Sequence, residues 1–157
     1  MALFVGESDA VIDGKRRLSI SAALRESLDP EQDGDSFILV LAPDRHLWLY
    51  PERYYQRLAG ALRRTAIPNR QDRRMDLWFA TARRLKPDAQ GRVVLPEASM
   101  RRAVIAGRVT LLGNHDHIEI WPADDWQARV DAELPAYGDM VYEAAARMLA
   151  PDAGSEK

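Results

Sequence analysis

The sequence contains no cysteine. Disulfides, thiolate metal sites and cysteine nucleophiles are therefore excluded, and the composition fits a reducing compartment. Long apolar runs are also missing. The longest, Phe37 to Ala42, is far too short to span a bilayer. The opening residues, MALFVGESDA, carry no basic segment ahead of their few apolar side chains, so no secretory signal is expected and the cytoplasm is the expected compartment. No Gly-x-Ser-x-Gly, Walker A or Gly-x-Gly-x-x-Gly stretch occurs, so neither a nucleophile elbow nor a phosphate cradle is signalled. His115-Asp116-His117 has the residue types of a metal pair but no third ligand nearby, and it reads as a solvated hairpin turn. No acidic pair is placed for acid–base work. No enzymatic activity, cofactor or metal is expected.

What is present is enough for a core. The chain has 157 residues, 46% apolar and 29% charged, which suits one domain or two small halves. The net charge of −2 hides an asymmetry. Residues 1–55 carry a net −4, residues 56–102 a net +8 and residues 115–157 a net −7. A basic middle between acidic ends can concentrate positive potential on one face and attract polyanions. Solvated arginine faces on helices expected over 51–66 and 69–86 account for the same charges.

The organisation is that of an internal repeat. Asp13-Gly14-Lys15-Arg16-Arg17-Leu18-Ser19-Ile20-Ser21 returns as Asp88-Ala89-Gln90-Gly91-Arg92-Val93-Val94-Leu95-Pro96. Each copy continues with a short helical stretch, Ala22–Ser27 and Glu97–Ala103. Strand candidates follow, Phe37–Leu41 and Val109–Leu112, then His46–Tyr50 and His117–Trp121. Each copy closes with a proline and a helix, from Tyr50-Pro51 and Trp121-Pro122. Between the copies, Asn69 is expected to cap a helix over Gln71–Leu85, with Asp72 as its capping-box partner. Met75, Trp78, Phe79 and Ala82 form one apolar stripe of that helix, and Tyr137, Val141, Ala144 and Met148 form another near the C-terminus. Both stripes read as packing faces.

Asp13 and Asp88 read as turn-formers, because aspartate accepts hydrogen bonds from the N–H groups just ahead of it. Gly91 supplies a position where positive φ is free. Arg17 and Arg92 leave the turns, and two readings stay open for them. A guanidinium matches phosphate or a guanine edge with paired hydrogen bonds, and it can equally fork back onto its own turn aspartate.

These residues resemble the MraZ family of bacterial transcriptional regulators, whose domains belong to the AbrB-like, SpoVT-type swapped-hairpin superfamily. The resemblance runs from Phe4-Val5-Gly6-Glu7 to about Val130. It takes in both Asp-x-x-x-Arg turns, Leu49-Tyr50-Pro51, the Arg73-Arg74 helix and Ile118-Glu119-Ile120-Trp121. It implies an α+β fold in which duplicated AbrB-like swapped-hairpin β-barrel halves form an intrachain pseudo-dimer with peripheral helices. The expected division is 1–58 and 85–134 for the two repeats, 59–84 for connecting helices and 135–157 for a C-terminal helical tail. The resemblance further implies a ring-like homo-oligomer that presents the turns to short direct repeats in double-stranded DNA, upstream of its own gene in a division and cell-wall cluster. Nucleoid association in the cytoplasm, without membrane contact, follows from that role.

Carried onto this chain, the implied DNA-binding set is Lys15, Arg16, Arg17, Arg25, Gln90, Arg92 and Arg101, with Asp13, Asp88 and Gly91 forming the turns. Three positions depart from the family pattern. Arg16 stands where glycine is usual, Ser21 where proline is usual, and Met100 where the second copy would carry a helix arginine. Arg101 lies one residue later, rotated by about 100°. Ser21 is expected to N-cap the following helix. Arg16 is expected to strain or reshape the first turn if positive φ is needed there. The alternative reading is an oligomeric protein-interaction scaffold that has lost specific DNA binding.

Overall fold

The computed structural model describes residues 2–62 and 65–150. Residues 63–64 of the helix expected over 51–66, and 151–157 of the expected tail, lie outside the described residues. The chain divides into two compact units, residues 1–123 and 124–157.

The first unit begins with strands β1 (Glu7–Val11) and β2 (Arg17–Ser19), then short helices α1 (Ala22–Arg25) and α2 (Pro30–Asp33). A hairpin of β3 (Phe37–Leu41) and β4 (Leu47–Pro51) leads into helix α3 (Glu52–Ala61). A 3-10 turn at Asp72–Met75 precedes α4 (Asp76–Thr81) and strand β5 (Arg83–Leu85). The second repeat, which β5 opens, continues with β6 (Arg92–Val94), α5 (Glu97–Ala103), β7 (Arg108–Asn114) and β8 (His117–Pro122).

Each repeat's first strand pairs with the other repeat's hairpin. β1 runs antiparallel to β7, and β5 antiparallel to β3, so the six-stranded sheet reads β1-β7-β8-β4-β3-β5. The second strands, β2 and β6, pair with each other as a separate ribbon. In the ribbon Leu18 faces Val93, and at the sheet centre Trp48 faces Glu119. Both are pairs of repeat-equivalent residues, which puts a pseudo-two-fold axis through the ribbon and the sheet. The interlocked halves are therefore present. Among the described residues the two halves meet as one six-stranded sheet and one ribbon, with no strand pairing between β1 and β5.

The core draws on both copies. Phe4, Leu18, Ile20, Phe37, Leu39, Leu47, Leu49, Leu95, Leu111, Ile118 and Ile120 are fully buried in or beside one cluster. The opposite face of β3 and β4, Ile38, Val40 and Tyr50, packs on Tyr54, Tyr55, Trp78 and Ala82 from α3 and the α4 segment. With both faces covered, β3 has no solvent side, which is why Phe37–Ala42 reads as an unbroken apolar run rather than an alternation.

The helix expected over Gln71–Leu85 is shorter. The capping box is made, with Asp72 N–H donating to Asn69 Oδ1 at 2.9 Å and Asn69 N–H to Asp72 Oδ2 at 3.1 Å. Helical geometry stops at Thr81, and Ala82 turns extended at ψ 148. Leu85 then buries against Phe37 at the edge of the sheet, a tertiary pairing that overrides the helical spacing. Asp29 N-caps α2 with its side chain, which accepts from Glu31 N–H.

The second unit holds most of α6 (Ala123–Glu133), a 3-10 turn at Leu134–Ala136 and α7 (Tyr137–Leu149). The stripe expected to pack is open in this chain. Tyr137 is 58%, Val141 46% and Met148 80% exposed.

Among the described residues no helix is long and apolar enough to cross a membrane.

Candidate nucleic-acid interface

The two Asp-x-x-x-Arg turns have the same hydrogen bonds. Asp13 Oδ1 accepts from Lys15 N–H and Arg17 N–H, both at 2.9 Å, and its Oδ2 accepts from Arg17 Nε at 2.7 Å. Asp88 Oδ1 accepts from Gln90 N–H and Arg92 N–H, both at 2.9 Å, and its Oδ2 from Arg92 Nε at 2.8 Å. Backbone bonds close each loop, from Arg16 N–H to Asp13 O at 3.0 Å and from Gly91 N–H to Asp88 O at 2.9 Å. The third loop residue is left-handed in both copies, with φ 61 at Arg16 and 77 at Gly91. Arg16 thus adopts the strained conformation, which costs roughly 1 kcal/mol outside glycine.

These bonds also settle the ionisation of the two carboxyls. The Arg17 N–H acts most strongly on Asp13. Partial desolvation opposes it, and the Arg17 guanidinium and Lys15 N–H add to it. The carboxyl is held below its usual range. Asp88 is lowered in the same way by the Arg92 N–H first, then, against desolvation, by the Arg92 guanidinium and Gln90 N–H. Both readings of the arginines remain compatible with this geometry. The Asp13 contact uses one of the five donors of Arg17. Arg92 uses Nε on Asp88 and Nη2 on Gln90 Oε1 at 2.7 Å.

The ribbon holds the turns together. Leu95 N–H donates to Arg16 O at 2.8 Å, and Ile20 N–H to Gly91 O at 2.9 Å, so each turn is sewn to the exit of the other. Two guanidiniums cover these seams. Arg25 Nε donates to Ile20 O at 2.9 Å, and Arg16 Nε to Leu95 O at 3.1 Å. A Cβ at Gly91 would lie 2.4 Å from Arg25 Nε, so a side chain there would displace the Arg25 guanidinium. Ser21 Oγ accepts from Leu24 N–H at 3.4 Å, in the capping position expected of it.

The structure gathers Lys15, Arg16, Arg17, Gln90 and Arg92 on the paired turns, with Arg25 over the second. Lys15, Arg16 and Gln90 are exposed, while Arg17, Arg25 and Arg92 are partly so. Arg101 is exposed on α5 and lines the same shallow groove as Arg16 and Met100. It stands beside the turns rather than on them.

One polar cluster escaped the sequence reading. His117 is buried rather than solvated, with Nδ1 2.6 Å from Asp116 Oδ1 and Nε2 2.9 Å from Glu119 Oε2. Glu119 also accepts from Trp121 Nε1 and Asn114 Nδ2, and Asp116 from the Tyr54 hydroxyl. Burial opposes charge on His117, but the two carboxylates outweigh it and raise its pKa. Burial likewise opposes charge on Glu119, yet its three donors pull the carboxyl down to about 2. The alternation His117-Ile118-Glu119-Ile120-Trp121 was the available signal, since it places three polar-capable side chains on one strand face. The cluster lies under α3, and its chemistry is structural.

The family profile described as "MraZ protein, putative antitoxin-like" matches residues 3–77 and again 78–136. Proteins named transcriptional regulator MraZ are similar along most of their length. That of Herpetosiphon aurantiacus is 34% identical over 143 residues, covering 88% of this chain and 96% of its own. That of Clostridium tetani is 31% identical, covering 84% and 90%. That of Pseudomonas syringae pv. tomato is 30% identical, covering 85% and 89%. The duplicated turn, the exchanged strands and the two consecutive profile matches agree, and the chain belongs to the MraZ family, whose named members here are regulators and not enzymes.

Proposed function

We propose that this chain is a transcriptional regulator that binds double-stranded DNA through its paired Asp-x-x-x-Arg turns. The observation that carries the reading is the β2–β6 ribbon. It fixes two basic turns side by side, with Lys15, Arg16, Arg17 and Arg92 on one edge and both aspartates spent on their own turns. A carboxylate neutralised locally leaves the net field of the edge positive. The names of the relatives support regulation of transcription.

A single pair of turns makes few contacts, so the chain acts as a ring-like homo-oligomer that aligns several pairs along short direct repeats. Linked weak contacts then multiply through effective concentration. The exposed apolar stripe of α7, Tyr137, Val141 and Met148, supports self-association. The target is its own promoter, ahead of a division and cell-wall gene cluster. The site of action is the nucleoid.

Gel shifts at two salt concentrations test this, using the gene's own upstream region against unrelated DNA. Arg17→Ala and Arg92→Ala should each weaken binding and reduce the salt slope by about one, and Arg147→Ala on α7 should do neither. Equal effects at Arg17 and Arg147 would remove the turns from the interface. A second reading, a scaffold without specific DNA binding, is favoured by the bond each turn arginine makes to its own aspartate. It predicts no preference for the upstream region.

A further inference from the structure

The two turns are equivalent in every backbone bond but carry their guanidiniums differently. Over the second turn the guanidinium comes from a helix. Arg25 reaches Ile20 O, and residue 91 beneath it is glycine, with a Cβ position 2.4 Å from Nε and 2.5 Å from Cζ of Arg25. Over the first turn the equivalent helix residue is Met100, half-buried against the core, and the equivalent of Gly91 is Arg16. Arg16 Nε reaches Leu95 O, the repeat-equivalent of Ile20 O. Arg16 and Met100 line one groove, so the space a helix arginine would fill is the space the Arg16 side chain enters.

We infer that Arg16 with Met100 is a coupled exchange of Gly91 with Arg25, in which Arg16 is the positioning residue that supplies from the turn the guanidinium a helix supplies at the other turn. Each seam carbonyl keeps one cationic cover, and only the source of the cover differs. Arg16 is therefore not an added cation. It accepts the left-handed backbone because the glycine that would relieve the strain leaves Leu95 O uncovered, and Met100 does not reach it with a donor. Glycine at 16 and arginine at 100 belong together, as do arginine and methionine. The mixed combinations either crowd two guanidiniums onto one carbonyl or leave none.

The consequence for DNA rests on the proposed function, but the coupling does not. Thermal midpoints of Arg16→Gly, Met100→Arg and the double variant test the coupling, with the mirror set Gly91→Arg, Arg25→Met and their double. Met100→Arg should lower the midpoint when Arg16 is present and not when residue 16 is glycine. Gly91→Arg should be destabilising alone and tolerated beside Arg25→Met. Additive effects at both turns would overturn the inference, whatever the DNA result.

Gel shifts on the same variants read the second arm. Arg16→Gly should lose at least about fivefold in affinity, with a salt slope shallower by about one, and the Arg16→Gly/Met100→Arg double should regain both. Coupled midpoints without any DNA binding would leave the exchange standing and defeat the proposed function. A double variant as weak as Arg16→Gly, in a protein that binds DNA, would show that the two guanidiniums are not interchangeable and defeat the inference.

Discussion

Leu18 and Val93 stand opposite each other at the middle of the β2–β6 ribbon, and neither exposes any surface. They are equivalent residues of the two repeats, so each copy completes its core with the other's side chain. Leu18→Ala should destabilise the fold by about 2–5 kcal/mol, the range for a leucine removed from a close-packed core. Urea unfolding checks this. Loss at Leu18 should fall in one cooperative transition of the first unit, because neither repeat keeps a core alone.

The His117 cluster predicts a pH dependence. The histidine's raised pKa contributes stability fully present below its unbound value of 6.5 and lost as pH rises through the folded value. The depressed Glu119 contributes stability present above 4.5 and lost as pH falls toward about 2. Both contributions are complete between pH 4.5 and 6.5. His117→Gln should cost on the order of 2 kcal/mol there, since hydrogen bonds to charged groups are lost. The gap in thermal midpoint between wild type and variant should narrow toward pH 9. A gap that is constant from pH 5 to 9 would mean that His117 does not change its protonation state across that range.

Two glycines should respond in opposite directions. A Cβ at Gly113 would lie 2.4 Å from the backbone nitrogen of Val5, where the N-terminal segment runs antiparallel beside β7. Gly113→Ala should therefore cost at least about 2 kcal/mol, because backbone must move. Gly60, on α3, has nothing within 4 Å of its Cβ position, and Gly60→Ala should stabilise by about 0.5–1 kcal/mol through helix propensity. Urea midpoints of the pair make the comparison internal.

Asp88→Asn separates the turn from the orientation of its arginine. The amide can still accept the N–H bonds of Gln90 and Arg92, but it presents a neutral group to Arg92 Nε. DNA affinity should fall by no more than about fivefold, the range an exposed ion pair sets, with the thermal midpoint nearly unchanged. Asp88→Ala should lower both, since it also removes the acceptor that folds the loop.

Much of this architecture was legible in the residues. The repeat placed the hairpins, Asp13 and Asp88 announced the turns, and Ser21 announced a cap. What stayed hidden depends on contacts distant in sequence. Arg83–Leu85 follows a helical stripe and becomes a strand only because the free edge of β3 accepts Leu85 opposite Phe37. His117 looks like a turn residue until β8 rotates it between two carboxylates and Trp48 stacks on its ring at 4.3 Å. Arg16 reads as a cation at a glycine position, and nothing local says that its partner is a carbonyl 79 residues away.

The exchange of β1 and β5 between repeats has a consequence for direction. Two separate copies related by a true two-fold must carry every substitution twice, and their paired turns are then the same read from either end. Fused in one chain, the copies accept a change once, and this chain has glycine and a helix arginine at one turn, arginine and methionine at the other. The pair of turns therefore has a left and a right. Any ligand long enough to span both turns meets them in a fixed order.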